Sequence, residues 1–125
     1  MSTINTSIIK SKTANTPVRF NDSGNVEVGT LCRAWVNFTG DTNIVNASFN
    51  VSSITDTGTA TYTVNFSTAL SHVNYTCAGG ASWAINGSNG TFITYNTKTV
   101  NGFNVTTVDA GSLSERAKVD VIVFG

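Results

Sequence analysis

The sequence predicts an all-β fold: an antiparallel β-sandwich-like domain of jelly-roll type preceded by an extended N-terminal arm. Apolar residues recur at every second position in several stretches rather than along a helical stripe, and Thr and Val, which suit a pleated, half-buried surface, are abundant. Asp-Thr-Gly and Asn-Gly sequences separate these stretches, at points where a hairpin needs residues that tolerate left-handed backbone. A chain of 125 residues accommodates one domain with a core of its own.

Residues 1–25 are dominated by Ser, Thr and Asn and carry the single proline, Pro17, ahead of Val18 and Phe20. Such a segment buries too little apolar surface to offset backbone ordering, which costs about 1–2 kcal/mol per residue. The arm is therefore expected to gain order from a partner chain, and the sandwich domain is expected over 26–125. From Val26 the even positions Val28, Thr30, Cys32, Ala34, Val36 and Phe38 make one apolar face, with Arg33 and Asn37 on the other. Leu31 and Trp35 break the polarity of that second face, which places the strand centrally or against a neighbouring subunit. Leu31 and Trp35, with Val18 and Phe20 of the arm, form the candidate oligomer interface.

Two further strands follow from Val45, Ala47, Phe49, Val51 and from Ala60, Tyr62, Val64, Phe66, each alternating with Asn, Ser or Thr. Asp56, Thr57 and Gly58 supply the turn before the second of them. Val73, Tyr75 and Cys77 continue the alternation, then Gly79-Gly80 and a short apolar stretch around Trp83 and Ile85. Asn86-Gly87, Asn89-Gly90 and Asn101-Gly102 mark turns and place strands near 91–96 and 103–108. In the closing KVDVIVF segment, Val119, Val121 and Val123 face one way and Ile122 and Phe124 the other, as in a buried last strand.

Seven basic and seven acidic residues give zero formal charge, while Thr, Asn and Ser together make 48 of 125 residues, so uncharged polar groups cover the surface. That composition lacks the basic field behind most nucleic-acid binding and the polybasic patch that anionic lipid attracts. Neither nucleic acid nor membrane insertion is expected, since the longest apolar stretch, Val119 to Phe124, is interrupted by Asp120. The opening MSTINTSIIK has no apolar run of the secretory type, which points to assembly in a cytoplasm. Cys32 and Cys77 lie in separate alternating segments rather than in a Cys-x-x-Cys pair, and buried free thiols are expected.

The residues do not spell a reaction. His72 is the single histidine, without a G-x-S-x-G elbow or an H-E-x-x-H sequence beside it. The carboxylates Asp22, Glu27, Asp41, Asp56, Asp109, Glu115 and Asp120 mostly neighbour Gly or Ser, as turn-forming residues do, and no calcium-loop pattern is present. No catalytic residue, metal ligand or cofactor is expected. N-x-S/T sequences at Asn5, Asn21, Asn37, Asn46, Asn50, Asn65, Asn74, Asn86, Asn89 and Asn104 are what Thr/Asn-rich strands spell by composition. Trp35, Tyr62 and Tyr75 fit alternating strands and suit core packing, whereas Trp83 is bracketed by glycine-rich sequence and fits either core or surface.

The segments Arg33 to Gly40 (RAWVNFTG) and Ala47 to Phe66 (ASFNVSSITDTGTATYTVNF), continued by STALSHVNY and matched again by the final strand ending in Phe124-Gly125, resemble a recurrent module of tailed-bacteriophage virion proteins. Modules of this kind belong to tail-fibre and tail structural proteins, frequently of marine phages and cyanophages. Residues 78–111 correspond to the module only as a variable region, and Asp41-Thr-Asn-Ile-Val-Asn46 replaces a segment that carries a basic residue in many relatives. The resemblance implies a non-enzymatic virion protein: a tail-fibre or appendage domain that assembles as a homotrimer, joins other virion proteins through its arm and binds a host-surface glycan or protein. A capsid decoration or cement protein on the head lattice is the alternative. Under the first reading, the 79–90 and 96–102 loops face the target, with Gly79, Gly80, Trp83, Asn86, Asn89, Tyr95 and Asn101 as contact residues.

Overall fold

The structure, a computed structural model, describes residues 19–22, 25–28, 32–83 and 91–125. The chain divides into two compact units, Met1–Leu31 and Cys32–Gly125. In the first unit, β1 (Arg19–Asp22) and β2 (Asn25–Val28) form an antiparallel hairpin with Asp22 opposite Asn25. This hairpin spans residue 25, and the second unit begins at Cys32. The continuous strand expected from Val26 to Phe38 is likewise two strands in two units, because Val26 and Val28 pair with β1. Val18 and Leu31 lie outside the described residues.

The second unit is all-β among its described residues, with two antiparallel sheets packed as a sandwich. One sheet has the order β4 (Ile44–Phe49), β3 (Cys32–Thr39), β11 (Lys118–Phe124), β7 (Thr76–Ser82). The other runs β5 (Val51–Gly58), β6 (Thr61–Phe66), β9 (Gly102–Asp109), β8 (Thr91–Thr99), and the short β10 (Ser112–Leu113) also pairs with the end of β9. The core lies between the sheets where the alternation places it: Ala34, Val36 and Phe38 of β3 and Val119, Val121 and Val123 of β11 face Tyr62, Val64 and Phe66 of β6 and Phe103 and Val105 of β9. Edge-on aromatic contacts tie the two layers, with Phe38 and Tyr62 ring centroids 5.1 Å apart and Phe66 and Tyr75 5.8 Å apart.

One sequence element splits in a way periodicity does not reveal. The alternating run from Val45 to Val51 crosses between sheets at Asn50, which holds the left-handed φ of 54°. Asn50 fastens this corner with its amide, donating 3.1 Å bonds to the carbonyls of Arg33 and Thr68 and accepting one of 2.8 Å from the Thr68 N–H. Asn supports that conformation because its short side chain hydrogen-bonds locally. Beyond the corner, the Asp56 carboxylate accepts the Gly58 N–H at 3.0 Å, the turn chemistry expected of Asp56-Thr57-Gly58. β8 and β9 turn through Val100 and Asn101, and both cover the segments expected of them.

Candidate functional site

The two sheets present different outer faces. On the five-stranded sheet, Thr55, Thr63, Asn65, Asn104 and their neighbours form a polar array, with Asn65 donating to Ser53 Oγ at 3.1 Å and Thr55 Oγ1 at 2.9 Å, and Thr63 donating to Asn104 Oδ1 at 2.9 Å. Near one end of that sheet Phe92 and Leu113 are exposed on either side of Val108, and the four-stranded sheet carries an apolar row across its full width. Phe49 stands opposite Trp35, Trp35 opposite Ile122, and Ile122 opposite Ala78, so the four residues cross the whole sheet on one face. Three inter-strand spacings make this row about 14 Å long.

Alternation along β3 and β11 forces the arrangement. Ala34, Val36 and Phe38 point into the core, so Trp35 and Asn37 point out; Val119, Val121 and Val123 point in, so Asp120 and Ile122 point out. Phe49 reaches the same face because of a register shift between Asn37 and Phe38, which leaves Asn46 and Ala47 together beside Asn37. Trp35 is 39% and Phe49 54% exposed. The alternation of Val45, Ala47 and Phe49 thus does not mark a core face: β4 is an edge strand, exposed along its length.

Two residues farther along the strands, about 6.7 Å away, runs a polar row. Asn46 donates to Asn37 Oδ1 at 2.8 Å and to Thr39 Oγ1 at 3.4 Å, and Asn37 in turn donates to Asp120 Oδ1 across the β3–β11 pair. Gly80, opposite Asp120, ends this row, and nothing lies within 4 Å of where its Cβ would stand. A shallow groove of about 290 Å³ runs between the rows, lined by Trp35, Asn37, Asp120, Ile122 and the backbone at Val36, Gly79 and Val121.

The residues expected in target-facing loops are dispersed. Gly79 and Gly80 belong to β7, not to a loop, and only Gly80 opens onto the outer face. Gly79 points inward at Tyr95, whose hydroxyl lies 2.9 Å from where a Gly79 Cβ would stand. Tyr95 itself packs against the core beside Phe103, and burial pushes its phenol up to about 12. Trp83 lies over the guanidinium of Arg116, 4.4 Å from its ring centroid. Asn101 is exposed at the β8–β9 turn. Arg116 donates to Thr91 at the start of β8, and the eight residues to Thr99 beside Asn101 span roughly 27 Å. Trp83 and Asn101 therefore lie toward opposite ends of β8. Asn86 and Asn89 lie outside the described residues. Of the oligomer-interface candidates, Trp35 is placed on the exposed sheet face, and Phe20 is in β1.

Arg116 was not singled out by its sequence, yet it is fully buried and paired with Asp109 at 2.6 Å, with further bonds of 2.8 Å to Thr91 and 3.0 Å to Ser114. Two further carboxylates have local partners: Glu115 accepts the Ala60 N–H at 2.9 Å and the Tyr62 hydroxyl at 2.7 Å, and Asp56 accepts from Asn43 at 3.0 Å. Burial first, then the Glu115 hydrogen bond and charge, raise the Tyr62 phenol above its ordinary range. His72 is exposed in the connection between β6 and β7. Among the described residues, no group of three or more His, Cys, Asp or Glu side chains is arranged to hold a metal ion.

Cys32 and Cys77 are free thiols, half-buried rather than buried. They flank β11 from opposite sides, two strand spacings or about 9.6 Å apart, beyond the ~6.8 Å limit for a disulfide. Burial pushes the Cys77 thiol up to about 11, against a smaller lowering by Lys98. Comparison of the chain with protein-family models, curated proteins and solved structures returns no match.

Proposed function

We propose that this chain is a non-enzymatic attachment module of a phage virion appendage, a tail-fibre-type domain that assembles with copies of itself and contacts the host surface. The observation that carries this reading is the row Phe49–Trp35–Ile122, an apolar strip exposed across the four-stranded sheet, whereas the other outer face is largely Thr, Asn and Ser with Phe92 and Leu113 exposed near one end. A domain that only fills space in a particle gains nothing from exposed aromatics, whereas a recognition surface does. Assembly is assigned to the Met1–Leu31 unit, through Val18, Phe20 and Leu31, leaving Trp35 for the target rather than for a neighbouring subunit. Several copies of a weak, charge-poor contact surface then add their affinities.

The test is location. Antibody labelling of intact particles should mark the tail appendage; labelling of the head lattice would assign the chain to capsid decoration, and particles without label would remove the virion reading altogether.

A further inference from the structure

We propose that the outer face of the four-stranded sheet is a binding site for neutral saccharides, with Trp35 and Phe49 as the stacking platform and the Asn46–Asn37–Asp120 row as the hydroxyl-reading edge. The inference rests on the attachment reading for its biological setting, and supplies the ligand class of that surface.

The aromatic strip has the dimensions of a small ligand. Exposures of 39% for Trp35 and 54% for Phe49, applied to aromatic side chains of about 150–250 Å², leave on the order of 200 Å² of aromatic surface. A stable protein interface takes about 800 Å² per partner. The aromatic strip supplies only about a quarter of that, and is bordered after two residues by amides and a carboxylate on one side and by Arg33 on the other. It matches a sugar ring, whose C–H groups carry slight positive charge and meet the negative face of an aromatic ring while its hydroxyls point sideways.

The polar row is built for those hydroxyls. Asn46 uses its N–H groups on Asn37 and Thr39, and Asn37 uses one on Asp120. These bonds leave the Asn46 carbonyl oxygen, the second N–H of Asn37 and the second oxygen of Asp120 for a ligand: acceptors on both sides of a donor, the pattern that adjacent hydroxyls satisfy. Because each amide is held by its neighbour, little rotamer entropy is lost when a ligand binds. The 14 Å row and the groove beside it have room for roughly two or three sugar rings. Asp120 is balanced by Arg33 and Lys118, exposed two residues from Trp35 and Asp120 on the same face, so the face carries charges of both signs and no single-sign field, which suits a neutral sugar.

Native gel electrophoresis of the full chain in gels containing dextran, mannan or laminarin, with heparin as the anionic control, reads the interaction directly. At least one neutral polysaccharide should retard the protein and heparin should not. Trp35→Ala should weaken retardation at least tenfold, and Asp120→Asn, which keeps the shape, several-fold, each with the Trp83 fluorescence of the folded domain retained. No retardation by any neutral polysaccharide, retardation by heparin alone, or wild-type mobility of both variants would overturn the site. A change of native mass in Trp35→Ala with retardation unaltered would assign the face to contact between copies and likewise overturn it. Failure of the attachment reading is a separate result: unlabelled tails with saccharide binding intact.

Discussion

The guanidinium of Arg116 lies 4.4 Å from the centre of the Trp83 ring, with the ring as the lid over a fully buried charge. Trp83 accordingly packs over the Arg116–Asp109 pair just beyond the end of β7. Its replacement by Ala removes a cation–π contact worth about 2 kcal/mol when desolvated and opens Arg116 to water. Urea denaturation should show a loss of that order, with polysaccharide retardation unchanged.

The ion pair beneath that lid predicts an asymmetry. Asp109→Asn leaves Arg116 buried without its counter-charge and should cost about 3–5 kcal/mol, read from the same denaturation experiment. Arg116→Met leaves an Asp109 that is already 25% exposed and places an apolar chain in the vacated space, so its cost should be smaller.

Gly79 and Gly80 are adjacent and predict opposite outcomes. A Cβ at Gly79 collides with the Asp120 carbonyl and the Tyr95 hydroxyl, and Gly79→Ala should destabilise by about 1–3 kcal/mol or more. A Cβ at Gly80 meets nothing within 4 Å, so Gly80→Ala should stay within about 0.5 kcal/mol of wild type. Thermal melting of the two variants side by side checks both.

Alkaline pH should unfold the domain earlier than its zero net charge suggests. Burial raises Cys77 to about 11 and Tyr75 and Tyr95 to about 12, each above its ordinary value and each neutral in the folded state. The unfolded chain therefore loses these protons first: stability is intact below about pH 9, falls as the unfolded thiol and phenols ionise, and continues to fall until the folded groups titrate. The urea midpoint should be flat from pH 7 to 8.5 and decline from pH 9 to 11, with a shallower first part in Cys77→Ala.

The core was legible because it obeys a period of two without interruption: Ala34, Val36 and Phe38, the Tyr62–Phe66 set and the Val119–Val123 set all lie inside as their alternation requires. The same rule misplaces Phe49. Its alternation with Asn46 and Ser48 looks like that of Phe66, but the register shift opposite Asn37 and the corner at Asn50 put it on the outer face of an edge strand. A bulge leaves no mark in hydrophobic periodicity. Trp35 stood out in sequence as an apolar residue on a polar face; its alignment with Phe49 and Ile122 depends on the pairing of distant strands, which periodicity within one strand does not contain. The burial of Arg116 is of the same kind, since its partners Thr91 and Asp109 come from β8 and β9.

The accessibility of Trp35 in the protein's native assembly separates a ligand face from a subunit interface. In a Trp83→Phe variant Trp35 is the sole tryptophan, and acrylamide quenching can be read alongside the native mass from light scattering. An outward ligand face predicts that Trp35 is quenched in the intact assembly as readily as in the dissociated folded chain, and that a retarding neutral polysaccharide protects it. Trp35 shielded in the assembly and exposed only on dissociation would make the sheet face a subunit interface and not a ligand site.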